Sequence, residues 1–264
     1  LLGLVLVVGS SAQGAQSWIQ VGPMRLQPSE TAKLMIIVTL AAHLSRKEGK
    51  WRGWLDFVPP FLHVGVPMAL ILLQPDLGTS LVFLGILFGM LYMAGAPAWR
   101  LAVLAGAGLA GVVGAIYVHT HYGLPIPLKE YQLKRLLVFL NPEVDRLGAG
   151  YHIRQSLIAV GSGRVWGKGL FAGAQNKLNF IPEQHTDFIF SVIGEELGFA
   201  GSLAVLGLFL FILYRGIRVA GEARDLFGTL LAAGVVSMLA FHILVNVGMT
   251  IGIMPMTGIP LPFL

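Results

Sequence analysis

Leu101–Val118 reads LAVLAGAGLAGVVGAIYV, a run without a charged side chain inside the longer apolar stretch 98–119. A helix rises about 1.5 Å per residue and the hydrocarbon layer of a bilayer is about 30 Å thick, so about 20 mostly apolar residues make one crossing. Comparable stretches at 28–44, 56–74, 77–95, 188–213 and 226–252, with a shorter one at 1–9, bring the spans to at least seven. The short alternating segments of a membrane β-barrel are missing. The expected fold is therefore an all-α polytopic membrane protein, a single membrane-embedded bundle over residues 1–264 with one large extracytoplasmic loop at 120–187.

Composition points the same way. With 55% hydrophobic and 12% charged residues and a mean hydropathy of +0.76, the 264 residues carry more apolar surface than one water-soluble core can hide. The 34 glycines and 14 prolines are tolerated in membrane helices, where neighbours satisfy freed backbone groups. Without cysteine, disulfides and thiolate metal sites are excluded. The opening Leu1–Leu6 has no basic region or cleavage site of a signal peptide, and the chain is expected to begin inside a span and to be a fragment of a longer one.

Orientation follows from lysine and arginine in the short loops. Arg46, Lys47, Lys50 and Arg52 in 45–54, and Arg215, Arg218 and Arg224 in 214–225, make those loops cytoplasmic. Alternation then puts 10–27, 75–76, 120–187 and 253–264 outside. The long loop carries Lys129, Lys134, Arg135, Arg146, Arg154, Arg164, Lys168 and Lys177 against Glu130, Glu143, Asp145 and Glu183, a basic excess that suits an anionic ligand. Its apolar segment 153–160 is too short to span and is expected as an interfacial or re-entrant helix.

On this topology three acidic motifs open spans on the outer face: Gln27-Pro28-Ser29-Glu30, Gln74-Pro75-Asp76 and Pro182–Asp187. Each also fits an ordinary helix start, with proline in the first turn and an acid near the N-terminus. Asp76 three residues before Thr79 fits an N-cap, and Glu30 with Lys33 one turn deeper fits an ion pair. Asp187, next to His185 and Thr186 where the basic loop meets a span, stands where a surface reaction needs a carboxylate base. Glu195 and Glu196, about 12 Å further along that span, must face the interior or a wet cavity and are expected to be paired or hydrogen-bonded. His242, Asn246 and His63 are expected to make interhelical hydrogen bonds. No nucleotide-binding fingerprint or zinc spacing is present.

The runs Leu26–Lys33 (LQPSETAK), Leu73–Ser80 (LQPDLGTS) and Ile181–Phe190 (IPEQHTDFIF) resemble the shape, elongation, division and sporulation (SEDS) family of peptidoglycan polymerases. The resemblance runs over essentially the whole chain. Asn141-Pro142-Glu143, Gly148–Ile153, Asn246–Met249 and Met254–Gly258 look more like its elongation branch, RodA, than its division branch, FtsW. It implies a fold of about ten spans, entered within the third and left after the ninth. The family's Ser-Tyr-Gly-Gly-Ser motif and last helix do not occur here.

The resemblance further implies a glycosyltransferase that joins lipid II units outside the bacterial cytoplasmic membrane, with undecaprenyl-pyrophosphate-linked glycan as donor and a class B penicillin-binding protein as partner. Its catalytic aspartate maps onto Asp187, and Glu30 and Lys33 match a polar cavity pair. Pyrophosphate leaves readily, so one base with cationic help suffices. Arg135, Lys168 or a divalent cation (Mg or Mn) held by Glu30 or Asp76 are the candidates for that help, with His185 and Thr186 beside the base. Two other readings are a transporter (flippase) of the lipid-linked precursor and a non-catalytic scaffold of the wall-synthesis complex.

Overall fold

The computed structural model describes residues 10–12, 15–21, 24–47, 50–74, 76–123, 130–145, 148–177 and 186–264. The expected span at 1–9, and His185, lie outside them. Strands β1 (Ser10–Ala12), β2 (Ala15–Val21) and β3 (Met24–Leu26) are followed by helices α1 (Pro28–Ser45), α2 (Val58–Leu73, entered through a 3-10 turn at Trp54–Phe57), α3 (Leu77–Met93) and α4 (Ala98–Tyr122). Then come α5 (Glu130–Leu140), a 3-10 turn at Pro142–Asp145, α6 (Ala149–Ser162), the single-turn α7 (Ala174–Lys177), α8 (Ile189–Gly221) and α9 (Leu226–Thr250).

The segments read from the sequence as spans are all helical where described. Trp54–Leu73, Ala98–Tyr122, Ile189–Gly221 and Leu226–Thr250 are long and apolar enough to cross a bilayer, and α3 is a shorter apolar helix. The chain is a polytopic membrane protein. Val103, Leu109, Val112 and Val113 on α4 and Leu203, Leu208, Leu210 and Phe211 on α8 stand exposed, as side chains solvated by lipid do. Two details differ from the sequence reading. Residues expected as a plain loop form an antiparallel three-stranded ribbon, β1-β2-β3, in a segment with the β-prone Trp18, Ile19 and Val21. Helix α8 also runs on to Gly221, so Arg215 and Arg218 lie in its last turns instead of a loop, with Arg218 paired to Glu222 at 3.3 Å.

The chain divides into two compact units, Leu1–Pro127 with Gly216–Met238, and Leu128–Arg215 with Leu239–Leu264. In the first, Ile37, Leu40, Ala41 and Leu44 of α1 and Phe83, Ile86, Leu87 and Met90 of α3 are buried. Gly234 lets α9 approach both: a Cβ there would stand 2.6 Å from Ile37 Cγ2 and 2.9 Å from Met90 Sδ. His63 of α2 meets Thr39 Oγ1 of α1 at 2.9 Å, the interhelical bond expected of a polar residue in lipid.

In the second unit, α8 is interrupted. Gly198 adopts φ 66°, ψ −163°, and the helix breaks there. A break strands the carbonyls of residues 195 and 196 and the amides of 199 and 200. The segment 164–169 takes all of them: Lys168 N donates to Glu195 O (3.0 Å), Gly169 N to Glu196 O (3.0 Å), Phe199 N to Arg164 O (2.8 Å) and Ala200 N to Val165 O (3.0 Å). The approach needs glycines. A Cβ on Gly163 would fall 1.9 Å from Gly194 O, and one on Gly167, at φ +78°, 2.1 Å from Glu196 O.

Gly163→Ala is accordingly expected to lower the unfolding temperature of the detergent-solubilised protein, at a cost of about 1–3 kcal/mol. Gly161→Ala, where an added methyl meets open space on α6, leaves it unchanged or raises it.

Candidate functional site

Asp187 occupies a turn, 186–188, immediately ahead of α8, and three contacts fix it. Its carbonyl accepts from Asn246 Nδ2 of α9 at 2.9 Å, and the same amide donates to Ile259 O at 2.8 Å. Its neighbour Phe188 is buried with Ala159 of α6 and packs on Met256. One turn on, Ser191 Oγ lies 2.6 Å from Ser156 Oγ, which in turn bonds Thr250 O at 2.7 Å. The amide of Asn246 and the two serines thus hold the start of α8 to α6, α9 and the segment after α9.

That last segment turns back at Gly252 (φ +73°) and runs alongside α8 and α9. His242 Nδ1 donates to Pro260 O at 3.3 Å, and Leu261 is buried with Phe190, Phe209 and Ile243. His242 and Asn246, expected to bond other helices, therefore bond main-chain carbonyls outside them. Gly258, at φ +71°, brings the segment beside the charged groups. Asp187 Oδ2 and Arg135 Nη1 stand 3.4 and 3.9 Å from the point a Cβ on Gly258 would occupy, so a carboxylate and a guanidinium share one small volume. Arg135 comes from α5 and is half-buried, as is Asp187, whereas Thr186 is exposed.

His152 of α6 belongs to the same electrostatic neighbourhood. Burial pushes its imidazole below the usual value, Asp145 pulls it upward and Arg135 pushes it down again. Its buried Nδ1 has no hydrogen-bond partner among the described residues. Sequence reading passed over this residue, although it stood in the Gly148–Ile153 motif.

Lys168, expected at the leaving phosphates, has its Nζ on Glu195 Oε1 at 2.6 Å. Glu195 Oε1 also accepts from Ala174 N (3.0 Å) and Gln175 N (3.3 Å), while Glu196 Oε2 accepts from Phe171 N (3.0 Å). Both carboxylates are buried and engaged, as expected, by the 168–175 segment.

In the other unit, Glu30 pairs with Lys33 at 2.8 Å, the lysine 3% and the acid 53% exposed. Asp76 caps α3: Oδ1 accepts from Thr79 N (3.0 Å) and Oδ2 from Thr79 Oγ1 (2.7 Å) and Gln27 Nε2 (3.3 Å). With one acid in an ion pair and the other spent on a cap, this donor set does not fit a divalent cation. Among the described residues no three His, Cys, Asp or Glu side chains gather as metal ligands.

The family model FtsW/RodA/SpoVE, described as cell cycle protein, matches residues 1–264. The chain belongs to this family. It is 43% identical over 267 residues to stage V sporulation protein E of Bacillus subtilis (strain 168), covering 100% of this chain and 70% of that protein. It is 40% identical over 271 residues to peptidoglycan glycosyltransferase MrdB of Escherichia coli (strain K12), covering 99% and 68%. A chain solved in a study of polymerization and crosslinking by a peptidoglycan synthase complex superposes with a TM-score of 0.77 at 35% identity, covering 99% of this chain and 70% of that one. The rod shape determining protein RodA of Thermus thermophilus gives 0.65 at 32%, covering 99% and 66%. A probable peptidoglycan glycosyltransferase FtsW of Escherichia coli O6:H1 is 39% identical over 268 residues, so these identities do not single out one branch of the FtsW/RodA/SpoVE family.

Two tests follow from the geometry. Asn caps a helix as well as Asp does, so Asp76→Asn is expected to keep the stability of the parent and Asp76→Ala to lose about 1 kcal/mol, read from thermal unfolding. For His152 the folded state resists the proton that the unfolded state takes up near the ordinary histidine value of 6.5. Its contribution to stability is therefore full above that pH and declines as pH falls below it. His152→Gln is expected to flatten the fall of unfolding temperature as pH drops below 6.5, as measured against the parent.

Proposed function

We propose that this protein is a peptidoglycan glycosyltransferase that polymerises lipid II at the outer face of the bacterial cytoplasmic membrane during cell elongation. The observation that carries the reading is the shared volume of Asp187 Oδ2 and Arg135 Nη1 beside Gly258. A transfer from a lipid pyrophosphate needs a proton acceptor and a fixed positive charge, and that volume supplies one of each.

In the proposed reaction a hydroxyl of the acceptor sugar attacks the anomeric carbon of the lipid-linked donor. The new glycosidic bond forms as the bond to pyrophosphate breaks. Asp187 takes the hydroxyl proton, which raises the nucleophilicity of the oxygen. Arg135, always charged and able to donate in a fork, stabilises the negative charge growing on the departing phosphate. Asn246, by holding the carbonyls of residues 187 and 259, keeps the base beside the Gly258 segment. No step is routed through a metal ion. Thr186 and His185, adjacent to the base in sequence, are assigned to substrate contact, as are Glu30 and Lys33.

The proposed orientation rests on the basic stretches 45–54 and 214–225, the second of which includes the last turns of α8. A class B penicillin-binding protein is the proposed partner, since one structural neighbour comes from work on a complex that coordinates polymerization with crosslinking. The transporter reading needs mid-span carboxylates free to line a path. Glu195 and Glu196 instead accept from Lys168 and from loop amides, which favours the enzyme.

With the full-length protein and defined lipid II, Asp187→Ala is expected to cut glycan polymerisation by about 10²–10⁴-fold and Arg135→Ala by about 10²-fold, each with folded protein retained. Polymerisation by Asp187→Ala at the parent rate would remove the assigned base.

A further inference from the structure

Lys168 and Glu195 lie apart from the reacting groups in sequence, yet they bracket the segment that carries Asp187. Helix α8 has only a short outer piece before its break at Gly198, with Asp187 just ahead of its first turn and Glu195 near its last. Glu195 is 1% exposed, and its Oε1 is the meeting point of three donors: Lys168 Nζ, Ala174 N and Gln175 N. From Gln175 the chain continues to Thr186 and Asp187. The same carboxylate therefore anchors Ala174 and Gln175, while the helix it sits on begins beside Asp187.

The surroundings leave little room for slack. Glu196 Oε2 holds Phe171 N, the main chain of 164–169 fills the gap in α8, and a Cβ on Gly173 would come 2.8 Å from Glu195 Oε2. Only one member of this cluster at Oε1 carries compensating charge. A buried carboxylate left with amide donors alone keeps much of its desolvation cost, so loss of the lysine favours any rearrangement that lets Glu195 reach water.

We infer that Lys168 and Glu195 form a positioning pair for Asp187: the ion pair clamps the 163–175 segment to the outer piece of α8 and thereby fixes where the base is presented. The inference rests on the reading of Asp187 as base. Lys168 acts through Glu195 and not on substrate. Its loss should slow the chemical step while leaving substrate affinity in place, because a small misplacement of a catalytic group weakens the transition state more than the ground state.

The test is steady-state polymerisation of defined lipid II by the full-length protein, normalised to the folded fraction from size exclusion and thermal unfolding. Lys168→Ala and Glu195→Gln are expected to lower kcat by about 10–10²-fold with KM little changed. Lys168→Arg, which keeps the cation, is expected to restore most of the rate. An unchanged kcat for Lys168→Ala overturns the inference. So does a raised KM with kcat preserved, which would put Lys168 on the substrate, and so does a Lys168→Arg protein as slow as Lys168→Ala.

If Lys168→Ala yields no folded protein, Lys168→Met, which keeps the length of the side chain and removes the cation, carries the test. A lowered kcat in folded Lys168→Met sustains the pairing, and a kcat at the parent value refutes it as a source of positioning. Asp187→Ala is measured in parallel. Activity in that variant defeats the base assignment whatever Lys168 does, whereas an inactive Asp187→Ala beside a fully active Lys168→Ala defeats the positioning pair alone.

Discussion

A helix broken in a membrane protein must find new partners for the backbone groups it releases, because hydrocarbon offers none and each orphan costs several kcal/mol. At Gly198 that constraint is met by another part of the same unit. The stranded carbonyls of residues 195 and 196 accept from the amides of 168 and 169, and the stranded amides of 199 and 200 donate to the carbonyls of 164 and 165. Much of the second unit depends on this exchange. It sets the level at which the 163–173 segment meets α8, requires glycine at 163, 167 and 198, and points both buried carboxylates of α8 into the segment.

The consequence for the site is a short N-terminal piece of α8 held at both ends. Near Glu195 it is tied by an ion pair and loop amides, and near Asp187 by Asn246, the Ser156–Ser191 contact and the burial of Phe188. A base on a free loop would sample many positions. A base on a helix end fixed from several sides does not, and such preorganisation is where a site gains rate without paying for it during reaction. The proximity of Asp187 to Gly258 depends on the same framework, since Asn246 bonds the carbonyls of both Asp187 and Ile259.

The first unit follows simpler rules. Asp76 ahead of Thr79 was legible as a cap because capping is local, decided by residues three apart. Glu30 and Lys33 were legible as a pair for the same reason, being one helical turn apart. The ribbon at 10–26 was not, since strand pairing joins residues whose register no helical period announces. Nor did sequence reveal the partner of Glu195, which lies 27 residues earlier in a glycine-rich loop.

What the sequence by itself determined are the features governed by local chemistry: the apolar stretches that become helices, the caps and one-turn ion pairs, the charge asymmetry of the short loops, and Asp187 as the candidate base. Tertiary structure alone decided that Lys168 serves Glu195, that Arg135 and Asp187 share a volume beside Gly258, and that α8 is broken and restitched at Gly198. The physical reason is that apolar periodicity and capping act over a few residues, whereas a hydrogen bond or ion pair across the fold depends on which distant backbone groups are left wanting a partner.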